Sequence, residues 1–464
     1  MSMMRLSEAA RAIPAELRGE DRLFDTVSSD TRALAPRALF VALKGERFDG
    51  HDFLAEAAEQ QVAGALVHDA NKLPAGLPAL VAEDTRLALG RLAAYWRRKF
   101  STPLVALTGS NGKTTVKEML ASILRAASAE DAVLATRGNH NNDIGVPLTL
   151  LELRTGHRYA VVEMGMNHAG EIRYLTRLAA PDVALVNNAG PAHLEFFSSV
   201  AAIARAKGEI FEGLPPGGVA VINADDRHAG LWRALAGDRR IVEFGIERPA
   251  TVSARYALRY LESEIVVRTP HGEAQAVLKA PGLHNVRNAL AASAAATALE
   301  VPAPAIARGL AGYAGIKGRL QKKAALRGAT LLDDTYNANP ESVCAAVAVL
   351  AQAPGGKLLV LGDMGELGAG GGQMHADIGT LARASGIERL LTLGDLAAQA
   401  ARAFGAGGRH FTRIEDLLAE IENALAPEVT VLVKGSRFMQ MERVVKAFAV
   451  DGEERGERRE EAKP

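Results

Sequence analysis

The feature that most constrains the fold of this chain is a glycine-rich loop between a short apolar run and an amphipathic helix. Residues 104–107 are apolar, as is typical of a buried strand, and Gly109 and Gly112 then permit a tight turn of the backbone. After the loop, apolar side chains recur at the spacing of one helix face, at Val116, Met119, Leu120, Ile123 and Leu124. A strand, a glycine loop and a helix in this order predict a phosphate-binding loop, because a helix N-terminus attracts an anion.

Two side chains of this loop favour a nucleotide as the ligand. Lys113 has the position from which a lysine reaches the β- and γ-phosphates, and Thr114 has the position of a Mg²⁺ ligand. The spacing departs from the general pattern, because Leu107 stands where that pattern has its first glycine. A chance glycine turn before a helix is the alternative. The flanking strand and helix favour the nucleotide site, and the short loop indicates a particular subfamily.

Length and composition exclude several classes of protein. A chain of 464 residues is too long for one core, so several domains are expected. The 54 lysines and arginines balance the 54 aspartates and glutamates, which argues against nucleic acid or an anionic membrane as a partner. The single cysteine, Cys344, excludes an internal disulfide, and its apolar helical surroundings predict that it fills a core. No run approaches the roughly 20 apolar residues of a membrane span and no signal peptide is visible, so a cytoplasmic enzyme is expected.

Strand-like and helical runs alternate along the chain, which predicts an α/β protein with three domains in series. The first domain, 1–83, is a small α/β unit with strands at 38–43 and 63–67. The second, 84–315, has a mostly parallel sheet, and the third, 316–452, repeats the alternation. Further predictions are a connecting helix at 84–100, an antiparallel hairpin at the sheet edge within 250–280, a flexible glycine loop at 368–372 and a charged tail at 453–464.

Two residues that follow strand-like runs are candidate metal ligands. Glu163 ends the run 159–162, and ligands of open α/β sheets bind beyond the carboxyl ends of strands. A carboxylate there could hold Mg²⁺, although a helix cap or a solvated glutamate would leave the same pattern. His193 follows the run 183–186. A lone histidine is more often structural than a ligand, but beside Glu163 it becomes a second candidate.

Three clusters of polar residues in the C-terminal third have two equally good interpretations. Their side chains could bind a ligand, or they could only make hydrogen bonds within a loop or a helix cap. Arg319 lies just past the predicted domain junction, where it could neutralise a phosphoryl group in transfer. Asp334 follows the run 330–332 and could bind a ribose or Mg²⁺. Lys434 and Arg437 close another run, and two cations suit a carboxylate.

Three further segments carry polar residues whose role the pattern leaves open. Lys207 lies in a helical segment, where the default interpretation of a lysine is a solvated charge. Asparagines are clustered at Asn139, Asn141 and Asn142. They could stabilise turns or form hydrogen bonds with phosphates and sugars. Near the N-terminus, turn residues could hold a polar, phosphate-bearing ligand, at Ser28, Asp30, Thr31 and Arg32, with Lys44 and Gly45 after them.

These motifs together resemble one family over nearly the whole chain, from Ser28 to Arg437. Residues 108–115, Thr-Gly-Ser-Asn-Gly-Lys-Thr-Thr, resemble the short phosphate loop of the Mur ligases and of the related folylpolyglutamate synthases. The Asp-Asn-Pro-Arg motif of the member that adds the third stem residue is absent. Four segments instead resemble the member that adds D-alanyl-D-alanine, at 163–167, 187–195, 207–211 and 334–340.

The resemblance implies an ATP-dependent amide ligase with Mg²⁺ as a cofactor. ATP would phosphorylate the terminal carboxylate of UDP-N-acetylmuramoyl-tripeptide, and the amine of D-alanyl-D-alanine would then displace phosphate from the acyl phosphate. The implied fold has an N-terminal UDP-binding domain, a central P-loop ATPase domain and a C-terminal Rossmann-like domain. We expect a monomer with small-molecule substrates, no nucleic acid and no membrane insertion.

The resemblance also implies roles for individual residues. The catalytic residues would be Lys113, Lys207, His193 and Arg319. Mg²⁺ would be held by Thr114, Glu163, His193 and Lys207, the last as the carbamate that CO₂ forms with its amine. ATP would contact Gly109, Ser110, Asn111, Gly112, Lys113, Thr114, Thr115, Asn285, Asn288, Arg319 and Asp334. The other substrates would contact Ser28, Asp30, Thr31, Arg32, Lys44, Gly45, Asn337, Lys434 and Arg437.

Two alternatives stay open at this point. One is another amide ligase of the same superfamily that adds a different amino acid, and substrate omission would distinguish it. The other is a P-loop ATPase that acts as a switch or scaffold, whose ATP hydrolysis would ignore the dipeptide. The sequence also leaves open whether the tripeptide ends in lysine or in diaminopimelate.

Overall fold

The computed structural model of this chain describes residues 2–46, 48–191 and 195–450, and these form five sheets with helices packed around them. The predicted α/β class, with parallel sheets in the central and C-terminal parts, is confirmed. Within the described ranges, no helix has the length and apolar character needed to cross a membrane. The candidate ligand His193 and the charged tail 453–464 lie outside the described residues.

The N-terminal part is a small α/β unit whose central strands are buried. Strands β4 to β7 are parallel neighbours, and β2 pairs antiparallel with β7. Strands β5 and β6 are buried at every residue, so the strands predicted within 38–43 and 63–67 are confirmed. The elements are β1 (Met4–Arg5), α1 (Leu6–Ala12), β2 (Glu16–Arg18), β3 (Leu23–Phe24), β4 (Thr26–Ser28), β5 (Ala38–Val41), α2 (Leu54–Glu59), β6 (Gly64–Val67), β7 (Ala79–Val81) and α3 (Thr85–Arg97).

Helix α3 connects this unit to the central part, as the apolar face within 84–100 predicts. Asp84 begins the helix, because its carboxylate accepts hydrogen bonds from the backbone amides of Arg86 and Leu87. Near the other end, the Trp96 indole donates to the backbone oxygen of Leu153 at 3.0 Å. One hydrophobic cluster contains residues of both parts, so α3 is held between them by burial of apolar surface.

The central part is built on a parallel sheet in the order β13-β12-β11-β8-β10-β9. Every residue of β8, β11 and β12 is buried, and the predicted apolar face of α4 is buried as well. The predicted strand, loop and helix are therefore confirmed. The elements are β8 (Leu104–Thr108), α4 (Lys113–Ala127), β9 (Val133–Ala135), α5 (Gly145–Leu151), β10 (Tyr159–Glu163), α6 (Glu171–Ala179), β11 (Val183–Val186), α7 (Val200–Gly208), β12 (Val219–Asn223), α8 (Ala229–Ala236), β13 (Arg240–Phe244), β14 (Ser253–Leu258), β15 (Ser263–Thr269), β16 (Gly272–Leu278), α9 (Leu283–Ala298) and α10 (Ala303–Ala311).

The segment 250–280 differs from its prediction. It is antiparallel as expected, but it forms three strands, β14 to β16, which make a sheet of their own instead of a hairpin at the edge of the parallel sheet. A bridge between Phe244 and Val252 leads from one sheet into the other. Alternate residues of β15 and β16 are buried against the cluster that contains α9 and α10. The apolar face of this sheet is therefore covered by helices, a tertiary contact that the local pattern does not contain.

Helix α10 approaches the phosphate-loop helix α4 closely at Gly309. A Cβ atom added there would lie 2.6 Å from the backbone nitrogen of Ile123, so the Gly309→Ala variant must move the two helices apart. We expect the free energy of unfolding to fall by about 1–3 kcal/mol, measured by urea titration. Gly230 on α8 is the matched control, because its Cβ would meet open space. Equal stability of the Gly309→Ala and Gly230→Ala variants would contradict the close packing of the two helices.

The C-terminal part has a second six-stranded sheet, in the order β17-β18-β22-β19-β20-β21, in which β17 is the antiparallel edge strand. Its parallel strands include the predicted runs 358–361, 390–393 and 430–433. The elements are β17 (Gln321–Ala324), β18 (Thr330–Asp334), α11 (Pro340–Leu350), β19 (Gly356–Gly362), α12 (Gly371–Ala384), β20 (Arg389–Leu393), α13 (Ala397–Phe404), β21 (Gly408–Phe411), α14 (Ile414–Ala424), β22 (Val429–Lys434) and α15 (Glu442–Phe448).

Two predictions for this part need correction. The glycine run 368–372 is not one loop, because Gly368–Gly370 form a 3-10 turn and α12 begins at Gly371. The helix forms despite its glycines because Ile378 and its neighbours are buried against the C-terminal core. Cys344, predicted to fill a core, is only half-buried on α11, where it packs against the edge of that core.

Candidate active site

A large cleft lies between the central and C-terminal parts, with a volume of about 1310 Å³. Its central side is lined by residues that follow β8, β10, β11 and β12, and its C-terminal side by residues that follow β18, β19 and β22. Because ligands of open α/β sheets bind beyond the carboxyl ends of the strands, this cleft is the candidate active site.

The phosphate loop lies in this cleft, where residues 110–115 line the wall and Gly109 does not. Gly112 has a φ of +78°, and a Cβ atom there would collide with the side-chain oxygen of Asn288, so this position requires glycine. The backbone amides of Ser110 and Asn111 donate to the backbone oxygen and to Oδ1 of Asn188, at 3.0 and 2.8 Å. The segment after β11 therefore holds the loop in place.

A chain of asparagine side chains supports the loop, and the sequence patterns did not reveal it. Asn187 donates through Nδ2 to the backbone oxygen of Asn111 at 2.9 Å and to Oδ1 of Asn288 at 3.0 Å. Asn288 in turn donates to Oδ1 of Asn285 at 3.2 Å. Asn285 and Asn288, both predicted ATP contacts, line the cleft, but their amide groups bond to the protein. The sequence does contain one signal for this chain of hydrogen bonds. Asn187 and Asn188 follow a buried strand, and buried side-chain amides need hydrogen-bond partners.

Two cations meet at the start of α4. Lys113 donates through Nζ to the backbone oxygens of Gly109 at 2.8 Å and of Ser110 at 3.4 Å. Arg319, from the segment before β17, donates to Oγ1 of Thr114 at 3.0 Å. Burial lowers the pKa of Lys113, and the positive charge of Arg319 adds to this shift, while the charge of Glu163 opposes it. Adjacent cations of this kind favour an anionic ligand.

Tyr336 lies against this arginine, with the guanidinium carbon of Arg319 4.4 Å from the ring centre. The ring stacks in the geometry of a cation–π contact and limits the directions in which the guanidinium can point. In the sequence, Tyr336 stands out only as part of the segment 334–340. The contact shows that residues after β18 help to aim Arg319 at the phosphate loop.

Glu163 has the surroundings of a metal ligand. Its side chain is buried, its Oε1 atom accepts a hydrogen bond from Asn141 at 2.9 Å, and its Oε2 atom has no partner among the described residues. Its backbone amide donates to Oγ1 of Thr136, which fixes the end of β10. A carboxylate oxygen without a partner and the hydroxyl of Thr114, both in the cleft wall, are the hard oxygen donors that Mg²⁺ prefers.

The other predicted metal ligands, His193 and Lys207, have less support than Glu163 and Thr114. Among residues 2–46, 48–191 and 195–450, no three histidine, cysteine or acidic side chains are grouped as a metal site. His193, the predicted second ligand, lies outside the described residues. The donors that fit Mg²⁺ are therefore oxygens of Glu163 and Thr114, and a further oxygen donor would come from Lys207 if its amine carried CO₂.

Lys207 is not a solvated charge, which corrects its default interpretation. It lies on α7 and is 1% exposed. Burial holds the pKa of its amine well below the usual value, and the charge of Lys113 adds to this shift. A neutral amine is the form that reacts with CO₂. Lys207 is not among the residues that line the described wall of the cleft.

The predicted C-terminal substrate residues fall into two groups. Lys434 is buried, and it donates through Nζ to Oδ2 of Asp334 at 2.6 Å and to the backbone oxygen of Asn337 at 2.9 Å. Its charge is therefore paired within the protein. Arg437 is exposed in the cleft wall, 3.1 Å from Glu442, and the side chain of Asn337 is exposed in the same wall. These two remain accessible to a ligand.

The predicted N-terminal residues lie apart from the cleft. Asp30 begins a short 3-10 helix and accepts two side-chain hydrogen bonds from Arg32, which hold the pKa of Asp30 at about 2. Strands β4 and β5 are parallel neighbours, so the residues after them occur at one edge of this sheet. The structure brings these residues together there, but none of them is in the described wall of the cleft: Ser28, Asp30, Thr31, Arg32, Lys44 and Gly45.

Family comparisons match most of the chain. The Mur ligase family, catalytic domain, matches residues 24–97, the Mur ligase middle domain matches 107–296, and the Mur ligase, glutamate ligase domain, matches 318–437. An Escherichia coli protein named UDP-N-acetylmuramoyl-tripeptide–D-alanyl-D-alanine ligase is 44% identical over 97% of this chain and 100% of its own length. The Bacillus subtilis protein of the same name is 33% identical, over 96% and 97%.

Solved structures agree with these matches. The crystal structure of MurF from Acinetobacter baumannii has a TM-score of 0.90 and 37% identity, and the match covers 96% of this chain and 99% of that one. MurF from Thermotoga maritima in complex with ADP has a TM-score of 0.80 and 26% identity, with 91% and 96% covered. By these matches over nearly its whole length, and by its phosphate loop, this chain belongs to the Mur ligase family.

Proposed function

We propose that this chain joins D-alanyl-D-alanine to UDP-N-acetylmuramoyl-tripeptide in an ATP-dependent reaction that forms an amide bond. The observation that carries the proposal is the meeting of Lys113, Thr114 and Arg319 in one cleft, where residues of two domains face the same phosphate loop. The full-length relatives named for this reaction support the choice of substrates. The products are the pentapeptide-bearing nucleotide, ADP and phosphate.

The chemistry explains why two cations are needed. A carboxylate is a poor electrophile because its oxygen leaves badly, so the terminal carboxylate of the tripeptide first attacks the γ-phosphorus of ATP and ADP leaves. The resulting acyl phosphate reacts with the amine of D-alanyl-D-alanine, phosphate leaves, and the amine loses a proton. Both ATP and the carboxylate are anionic, and Lys113 and Arg319 neutralise the charge that would otherwise keep them apart.

Glu163 and Thr114 are the residues that would hold Mg²⁺, which when bound supplies further neutralisation of the nucleotide phosphates. Glu163 is kept ready for this role by Asn141, which directs one carboxylate oxygen and leaves the other without a partner. In this proposal Lys207, as a carbamate, and His193 hold a second ion. The low pKa of the Lys207 amine and its burial support carbamate formation.

The remaining assignments complete the proposal. The domains are 1–83, 84–315 and 316–452, and the first of them holds the UDP end of the long substrate. Its reacting end then lies in the cleft between the other two. Docking of the third domain brings Arg319 to the nucleotide and excludes water, which protects the acyl phosphate from hydrolysis. Arg437 and Asn337 contact the peptide portion, because both are exposed in the cleft wall.

The test is phosphate release from ATP and Mg²⁺ with UDP-N-acetylmuramoyl-tripeptide, in the presence and absence of D-alanyl-D-alanine. Release that requires both, with a pentapeptide product identified by mass, would support the proposed reaction. Tripeptides ending in lysine and in diaminopimelate would then be ranked by kcat/KM. Release that ignores the dipeptide would contradict the proposal and favour a different acceptor or a simple ATPase.

A further inference from the structure

Asn111, at the tip of the phosphate loop, has its side chain bound entirely by residues of the C-terminal part. Its Oδ1 atom accepts a hydrogen bond from Nδ2 of Asn339 at 2.7 Å. Its Nδ2 atom donates to Oε2 of Glu341 at 2.9 Å. The oxygen of the amide therefore accepts from, and its nitrogen donates to, the other side of the cleft.

The backbone of Asn111 is bound equally completely from the central side. Its amide donates to Asn188 at 2.8 Å, and its carbonyl accepts from Asn187 at 2.9 Å and from Asn188 at 3.0 Å. The central part therefore holds the main chain of this residue, and the C-terminal part holds its side chain. Through Asn111, the position of the C-terminal domain can therefore affect the phosphate loop of the central domain.

The two C-terminal partners are themselves rigidly placed. Asn339 is the N-cap of α11, and its side chain and that of Ser342 form reciprocal hydrogen bonds with each other's backbone. Glu341 follows Pro340 in the first turn of the same helix. Its carboxylate fits against Gly190, where an added Cβ atom would collide with Oε2. Because Asn339 and Glu341 both bind the side-chain amide of Asn111, a change in the position of α11 would move the phosphate loop.

We propose that Asn339 and Glu341 are positioning residues that act through Asn111, so that docking of the C-terminal domain fixes the phosphate loop in the shape required for phosphoryl transfer. We call these three residues the Asn111 clasp. The inference rests on the proposed function for its kinetic consequence, but the clasp itself is a contact between domains that can be measured without ligation. It assigns to Glu341, which binds no substrate in the proposed reaction, an effect on kcat.

The test exchanges donor and acceptor across the clasp. In the Asn111→Asp variant, two carboxylates face each other at the distance of a hydrogen bond, and the domains should separate. In the Asn111→Asp/Glu341→Gln variant the glutamine amide donates to the new carboxylate, so the contact is restored with the polarity reversed. Glu341→Gln alone retains an acceptor oxygen. Gln352→Glu, at an exposed turn position two residues after the end of α11, controls for an added charge.

Two measurements are made on the full chain with Mg²⁺ and the ATP analogue adenylyl imidodiphosphate. Small-angle scattering is expected to show a larger radius of gyration for Asn111→Asp and a value like the wild type for the double variant. In the ligation assay, kcat should fall at least about tenfold for Asn111→Asp, and the loss should be smaller in the double variant, since residues in contact show coupling energies of this order. Gln352→Glu should match the wild type in both.

The outcomes separate the clasp from the proposed reaction. A double variant as expanded as Asn111→Asp, or an Asn111→Asp chain as compact as the wild type, would overturn the clasp. Should Asn111→Asp fail to fold by circular dichroism, Glu341→Ala provides the same test, because it removes the acceptor and should expand the chain. A wild type without ligation activity would contradict the proposed function alone, because the scattering comparison does not depend on turnover.

Discussion

Replacing Lys113 with methionine is expected to lower kcat/KM for phosphate release about a thousandfold, the upper range for loss of one preorganised charged donor. The half-buried ammonium is held by the backbone oxygens of Gly109 and Ser110 and lies near Arg319 and Glu163. A nucleotide that enters the loop meets this charge within the loop itself. Methionine fills a similar volume and carries no charge, so the change removes the electrostatic contribution and little of the packing.

The measurement is steady-state phosphate release with both acceptor and tripeptide present, together with a thermal melt of each variant. Lys322→Met is the matched control, because Lys322 lines the same cleft on the edge strand β17 and is exposed. We expect the control to change kcat/KM by less than about threefold, since an exposed charge is screened by salt. Equal losses in the two variants would mean that only the overall charge of the cleft matters.

The fold was largely predictable because its strongest signals are local. Buried strands such as β8 and β11 appear in the sequence as short apolar runs, and the apolar face of α4 follows helical spacing. The three-stranded sheet was only partly predictable, since the local alternation shows strands but not the helices that cover them. The helix that begins at Gly371 was missed for a related reason, because its buried face outweighs the low propensity of glycine.

The sequence predicts which charged residues belong to the candidate site, but not which of them form ion pairs within the protein. The sequence indicates Lys113 by its glycine loop, Glu163 by its place at the end of a buried strand, and Arg319 by its place past the predicted domain junction. Which of them pairs with the protein depends on contacts between distant segments. Lys434 is bound to Asp334 a hundred residues away, and no local pattern distinguishes it from Arg437, which stays exposed.

The burial of Lys207 is the feature with the largest difference between expectation and structure, and it leads to the second prediction. Lys207→Ala should lower kcat by several hundredfold, or about 3–4 kcal/mol of transition-state stabilisation, if its carbamate holds a metal ion. The alanine variant leaves space for a small carboxylate, so acetate or formate should restore activity at least about tenfold. Full activity of Lys207→Ala without added carboxylate would contradict the role of the carbamate.

A second variant tests the same amine through stability. Lys207→Met should raise the free energy of unfolding by about 1–3 kcal/mol at neutral pH, because it removes an amine whose burial costs free energy. The folded chain holds the pKa of Lys207 well below its value in the unfolded chain. Between these two pKa values the unfolded state binds more protons, so stability of the wild type should rise with pH. The methionine variant should lose this pH dependence.

Bicarbonate then distinguishes a reactive amine from a merely buried one. If CO₂ forms a carbamate on Lys207, unfolding must release it, so bicarbonate should stabilise the wild type in urea titrations and leave Lys207→Met unchanged. Lys117, on α4, is the matched control, because it is equally buried but its amine donates to the backbone oxygen of Thr136 at 2.6 Å. Its methionine variant should keep the response to bicarbonate. A wild type that ignores bicarbonate would leave the Lys207 amine as a buried base, and the second metal ion would then need another ligand.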